Sequence, residues 1–125
     1  MKIVVEMPWA RNLSVNHCNM GPQGNWHLRP GAEAWKDRLG WETYAGNWHL
    51  GIPTTKGGQI NVKVDFRFPN RHKRDDHNYH YLIANGVAAG LHIDDKDIRI
   101  STGSVIVDRK KPGFTITIEA EGETE

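Results

Sequence analysis

The pattern of this 125-residue chain predicts an α+β fold, a single small domain in which a mixed β-sheet packs against two helices. Two observations carry that prediction. Ile60, Val62, Val64, Phe66 and Phe68 alternate with polar residues, the period-two signature of a strand with one buried face. In two other segments, from Pro30 and from Asp75, apolar residues recur at spacings of three and four, as on one face of a helix. A chain of this length supplies one good core and not two. A domain over residues 1–118 with an acidic tail over 119–125 is therefore the expected organisation.

The elements follow in order. Lys2 to Glu6 is β-branched and is ended by Pro8, which predicts a short strand. From Asn12 to Pro30 the composition turns to Gly, Asn, Pro and His without period and reads as a long loop, a kind of segment that is often functional. Pro30 suits the first position of a helix running to Tyr44, with Ala32, Ala34, Trp35, Leu39, Trp41 and Tyr44 as its apolar stripe and Gly46 as its stop. Trp35 and Trp41 are expected in the core. Trp9, Trp26 and Trp48 have two readings, as core residues or as platforms on which unpaired bases stack. The pentapeptide Gly-Asn-Trp-His-Leu occurs at Gly24 and again at Gly46, too few copies for a repeat architecture. Residues 52–58 read as a linker. The second helix starts at Asp75, a good cap, carries Tyr79, Leu82, Ile83 and Val87, and ends near Gly90. A turn at Asp94 to Asp97, strands through Ile98 to Val107 and Phe114 to Ile118, and a mobile tail from Glu119 complete the chain.

Composition narrows the function classes. There is no apolar stretch near the roughly 20 residues of a membrane span, nothing resembling a signal peptide at the start, and a single Cys18, which excludes an internal disulfide and a four-cysteine zinc site. A reducing, cytoplasmic setting without a membrane partner is expected. The net charge of +1 hides an uneven distribution, because four of the fifteen acids (Glu119, Glu121, Glu123, Glu125) lie in the tail; without them the 16 bases exceed the acids by five. Arg67, Arg71, His72, Lys73 and Arg74 cluster just before the first acidic segment, a run suited to neutralising phosphates.

Two acidic segments carry the candidate chemistry, Asp75-Asp76-His77-Asn78 and Asp94-Asp95-Lys96-Asp97. Asp75 and Asn78, three residues apart, share a helix face. Carboxylate oxygens gathered near one point match what Mg²⁺ requires, and Mn²⁺ substitutes readily in such a site. The competing reading makes Asp75 a helix cap and Asp94 to Asp97 an ordinary solvated turn. A zinc site drawn from His17, Cys18, His27, His72, His77 and His80 matches no standard spacing.

The stretch Phe68-Pro69-Asn70-Arg71-His72-Lys73-Arg74-Asp75-Asp76-His77-Asn78, followed by Gly90-Leu91-His92-Ile93-Asp94-Asp95, resembles the proline, basic run and two acidic motifs of the RusA-type Holliday junction resolvases. Weaker similarity extends to Met7-Pro8-Trp9, Trp35-Lys36-Asp37 and the last strand. The resemblance implies a small homodimeric, Mg²⁺-dependent endodeoxyribonuclease that resolves four-way junctions or other branched DNA by paired nicking. It implies Asp75, Asp94, Asp95 and His77 as metal ligands, with Asp75, Asp95 and His77 catalytic and Asn78 and Tyr81 supporting. Arg67, Arg71, Lys73, Arg74 and Lys96 would contact DNA. His77 stands where the family usually has a second aspartate, Tyr81 where it has a lysine, and Asn85 where an aspartate is common. A branched-DNA-binding protein with an impaired nuclease site is the alternative.

Overall fold

The computed structural model describes residues 2–15, 17–21, 27–50 and 59–120, with the backbone alone for residues 49 and 50. The described elements are β1 (Ile3–Pro8), β2 (Asn19–Met20), β3 (His27–Leu28), α1 (Pro30–Leu50), β4 (Ile60–Phe68), α2 (His80–Leu91), β5 (Ile98–Val107) and β6 (Gly113–Ala120). Two short 3₁₀ turns, Asp76–Tyr79 and Asp95–Asp97, flank α2 on either side. The fold is α+β, with a mixed four-stranded sheet in the order β1-β6-β4-β5 and a two-stranded ribbon of β2 and β3.

Alternation in β4 puts Ile60, Val62, Val64, Phe66 and Phe68 in one buried row. Ile3, Val5 and Met7 of β1 and Phe114, Ile116 and Ile118 of β6 extend that row across the sheet, and Trp35, Leu39, Leu82, Ile83 and Val87 of the helices pack onto it. β4 runs antiparallel to β6 and parallel to β5, so α2 is the crossover of a β-α-β unit. Opposite Asp65 the pairing of β4 and β5 slips by one residue, and the Asp65 carboxylate fills the gap by accepting from Ser104 N (2.8 Å) and Ser104 Oγ (3.1 Å). Such a parallel unit places ligand sites at the carboxyl ends of its strands. Here that end is Phe68, where the basic run begins.

α1 and α2 approach closely because their contact is lined by glycine. A Cβ on Gly90 would lie 2.5 Å from the Gly40 carbonyl oxygen and 2.8 Å from Thr43 Cβ. The Trp35 indole donates to Pro8 O (2.8 Å), pinning α1 to the end of β1.

Several sequence expectations are corrected. α1 does not stop at Tyr44 but continues through Gly46 to Leu50, because Gly46 faces Ile3 at a distance where a Cβ would come within 2.6 Å of Cγ2. Trp41, expected in the core, is 72% exposed: the buried face of α1 is set by Ala32, Trp35, Leu39 and Thr43, and Trp41 lies two residues off it. Trp48 is also exposed, whereas Trp9 packs against Phe68, Tyr79 and Phe114. The expected loop from Asn12 to Pro30 contains the β2–β3 ribbon. The second helix is 3₁₀ over its first turn and passes through Gly90; its cap is His92, in the left-handed conformation (φ 58°, ψ 42°), whose N–H returns to Ala88 O and Ala89 O. β6 takes in Glu119 and Ala120, paired with Asn61 and Ile60, so the sheet extends past residue 118. The linker at 52–58, most of the first Gly-Asn-Trp-His-Leu copy and the last five residues lie outside the described residues. No described helix is long and apolar enough to cross a membrane.

Candidate metal centre and basic approach

The connection from β4 to α2 is shaped by its own polar groups. Asn70 Oδ1 accepts from His72 N (3.1 Å) and from Arg74 Nη1 (2.7 Å), and Arg74 Nη1 also reaches Asn70 O (3.4 Å) and His72 O (3.3 Å). The Arg74 guanidinium lies over Trp9 (5.1 Å) and Phe68 (5.3 Å), which anchors the loop on the aromatic edge of the core. Those hydrogen-bond partners are uncharged, so none of them cancels its charge. Arg71, His72 and Lys73 are exposed. Arg67 is placed elsewhere: its guanidinium donates to Glu6 Oε2 (2.9 Å), Thr115 Oγ1 (2.7 Å) and Lys111 O (3.3 Å) on the sheet face away from the helices.

Asp75 caps the 3₁₀ turn, its Oδ1 accepting from His77 N (3.0 Å). The turn rotates Tyr79 into the core and gathers Asp76 and the following His80 against Thr102 of β5, with His77 beside them. Ligand atoms of Asp76, His77 and His80 all lie within 4.8 Å of one another. The Thr102 hydroxyl donates to Asp76 Oδ2, and this bond, outweighing partial burial, holds the Asp76 carboxyl below the usual carboxylate range. Thr102 has one proton and gives it to Asp76. At 2.9 Å from His80 Nε2, its oxygen is then the acceptor. Neutral His80 therefore carries its proton on Nε2, and its Nδ1 lone pair is left for a ligand. Burial, reinforced by neighbouring His77, pushes the His80 imidazole below the ordinary histidine range against the opposite pull of Asp76 and Asp75. An ionised carboxylate and a neutral imidazole are the protonation states a divalent cation needs.

The donor set fits a cation. Ligands about 2.1 Å from a metal stand roughly 3.0 Å apart in an octahedral site and about 3.4 Å apart in a tetrahedral one, and His77 Nε2 is 3.7 Å from Asp76 Oδ2. His77 is exposed, and its imidazole is not locked in the core.

The residues proposed from the sequence fall into two groups. Asp75, His77 and Asn78 lie at the amino end of α2; Asp94, Asp95 and Lys96 lie at its carboxyl end. Twelve residues of α-helix, about 18 Å, separate the groups, so one chain does not gather Asp75 with Asp94 and Asp95. Asp94 caps the second 3₁₀ turn, accepting from Lys96 N (3.2 Å), and that bond lowers its carboxyl; Lys96 Nζ faces it at 4.0 Å. Tyr81 is exposed on α2. Cys18 is buried, which raises its thiol and disfavours a thiolate ligand. Sequence reasoning missed Asp76 and Thr102 and placed His80 only in a zinc alternative. The spacing Asp76, His77, His80 was the available signal. Thr102, 26 residues away, had none. No protein-family model and no curated protein matches this chain.

Proposed function

We propose that this protein is a metal-dependent endodeoxyribonuclease acting on branched DNA such as four-way junctions. The observation that carries this reading is the meeting of Asp76, His77 and His80 beside the exposed Arg71, His72 and Lys73. The choice of branched DNA rests on the resemblance of residues 68–95 to the RusA-type resolvases. A divalent cation bound there would supply Lewis acidity and would activate water. Asp76 would contribute the negative charge, His80 the Nδ1 lone pair and the exposed His77 a third ligand, while Arg71 and Lys73 would hold the strand's phosphates. Two imidazoles favour Mn²⁺ or another transition ion over the Mg²⁺ that the resemblance implies, since Mg²⁺ prefers oxygen.

Mn²⁺ titration followed by electron paramagnetic resonance tests the centre directly. Asp76→Asn and His80→Gln are expected to weaken binding at least tenfold, with Asp95→Asn unchanged; the reverse ranking removes the assignment. A synthetic four-way junction with Mn²⁺ or Mg²⁺ tests the activity, and intact strands with wild-type protein in both ions exclude it.

A second reading, a branched-DNA-binding protein without cleavage, is favoured by the distance of Asp94 and Asp95 from Asp75 and by Tyr81 in the lysine position of the resolvases. It predicts salt-sensitive junction binding and no nicking. A two-fold dimer belongs to the proposal as well. Its support is the edge strand β5, which exposes Val105, Ile106 and Val107. Sedimentation equilibrium is expected to give a dimer for wild type and a monomer for Ile106→Lys.

A further inference from the structure

We propose that the cleft between the β1–β2 connection and the approach to α2 is a second phosphate-binding site, distinct from the metal centre. As part of a nuclease it rests on the reading above, although its binding chemistry stands alone. The cleft, about 310 Å³, has Ser14, His17, His72, Lys73, Arg74 and Asp75 among its lining residues. That volume lies at the lower end of the roughly 300–1,000 Å³ common for ligand sites.

The wall contributed by the β1–β2 connection is held in place before any ligand arrives. Val15 N donates to Asn78 O (2.6 Å), fastening the connection to the 3₁₀ turn. His17 N and Cys18 N both donate to Ser14 O (2.9 Å each), and Leu13 and Cys18 are buried beneath. Arg29 braces the same segment, its N–H donating to Cys18 O (2.7 Å) and its Nε to His17 O (2.8 Å). Within this frame Ser14 Oγ and His17 Nδ1 are 2.8 Å apart, which orients the ring and leaves Nε2 for a ligand.

Charge decides what that ligand is. Lys73 and Arg74 are cations, His17 and His72 are nitrogen donors, and Asp75 is the one carboxylate among the lining residues. One oxygen of Asp75 is already taken by His77 N. A set of cations and imidazole nitrogens with one partly engaged anion is complementary to a phosphoryl group and poor for an apolar or cationic ligand. Asp75 lines this cleft while Asp76, next in the chain, belongs to the metal centre. A strand lying across both therefore places in the cleft a phosphate close to the one beside the metal. A 5′-terminal monoester and an internal diester present the same chemistry.

The intact 125-residue chain in EDTA separates this site from the metal, and Mn²⁺ binding is followed in a parallel titration without chelator. Inorganic phosphate binding followed by ³¹P line broadening, and competition by oligothymidylates with and without a 5′-phosphate, are measured for wild type, His17→Ala and Lys73→Ala. Both substitutions are at exposed positions, and circular dichroism checks the fold. Each is expected to weaken phosphate binding five- to tenfold while Mn²⁺ binding stays within twofold. A tenfold preference for the phosphorylated oligonucleotide identifies a terminal monoester, and equal competition identifies an internal diester; either supports the site. Phosphate and oligonucleotide binding unchanged in both variants would overturn it. Phosphate binding without any Mn²⁺ binding would leave this site standing and remove the nuclease reading instead.

Discussion

Thr102 shows how much of the centre depends on one hydroxyl. It donates to Asp76 and accepts from His80, so Thr102→Val keeps the shape and leaves both groups short of a partner. A loss of about 1–3 kcal/mol in urea unfolding is expected, together with a 10- to 100-fold loss of Mn²⁺ affinity, as when a residue supporting metal ligands is removed. His80 makes the unbound protein sensitive to mild acid. Its pKa is lower in the folded chain than the 6.5 of a free histidine, chiefly through burial, so below that value the unfolded chain takes up the proton first. Stability is then complete above pH 6.5 and falls as pH drops toward the folded pKa. Urea unfolding of metal-free protein at pH 7.0 and 5.5 is expected to show this loss, reduced in His80→Gln. Asp76, also lowered, acts in a separate window below its ordinary 3.8 and does not contribute there.

Between elements, the α1–α2 contact sets the position of everything at the head of α2. Gly90→Ala would gain about 1 kcal/mol in helix propensity, but its methyl meets the Gly40 carbonyl and Thr43, a backbone neighbour that cannot swing away. A net loss of about 1–3 kcal/mol in chemical denaturation is expected; a stabilised variant would show that the helices separate freely. Element by element, the alternation of β4 and the three- and four-residue spacing of α2 were legible because each is a local pattern created by one buried face. The end of α1 was not, since Gly46 reads as a stop, whereas its glycine is required by the close approach of Ile3 from β1. The cap of α2 was misread for a related reason: Gly90 is spent on the contact with α1, and His92 takes the left-handed position.

Across the whole molecule, charge is arranged around the carboxyl end of β4. If Arg71 and Lys73 contact phosphates, Arg71→Ala and Lys73→Ala should each reduce the slope of log affinity for junction DNA against log salt by about one. Arg67→Ala should leave that slope unchanged, because Arg67 is bound to Glu6 and Thr115 on the opposite face of the sheet. Filter binding or fluorescence anisotropy between 50 and 300 mM salt, on the order of the range where counterion release dominates, makes the comparison. Equal slopes for all three variants would place the DNA elsewhere.

The sequence by itself determined the fold class, the central strand, the crossover helix and the basic run ahead of an acidic turn. Each of these follows from periodicity or local composition. Tertiary structure decided which acidic side chain stands with other potential ligands. Asp75 and Asp94 were spent on capping the two 3₁₀ turns, and the length of α2 holds the second acidic segment away from the first. The 3₁₀ turn, by rotating Tyr79 inward, brought Asp76, His77 and His80 to one side. β5, returning parallel to β4, delivered Thr102 to complete the set. A contact between residues 26 positions apart depends on how a helix and a strand pack, and no local pattern records it.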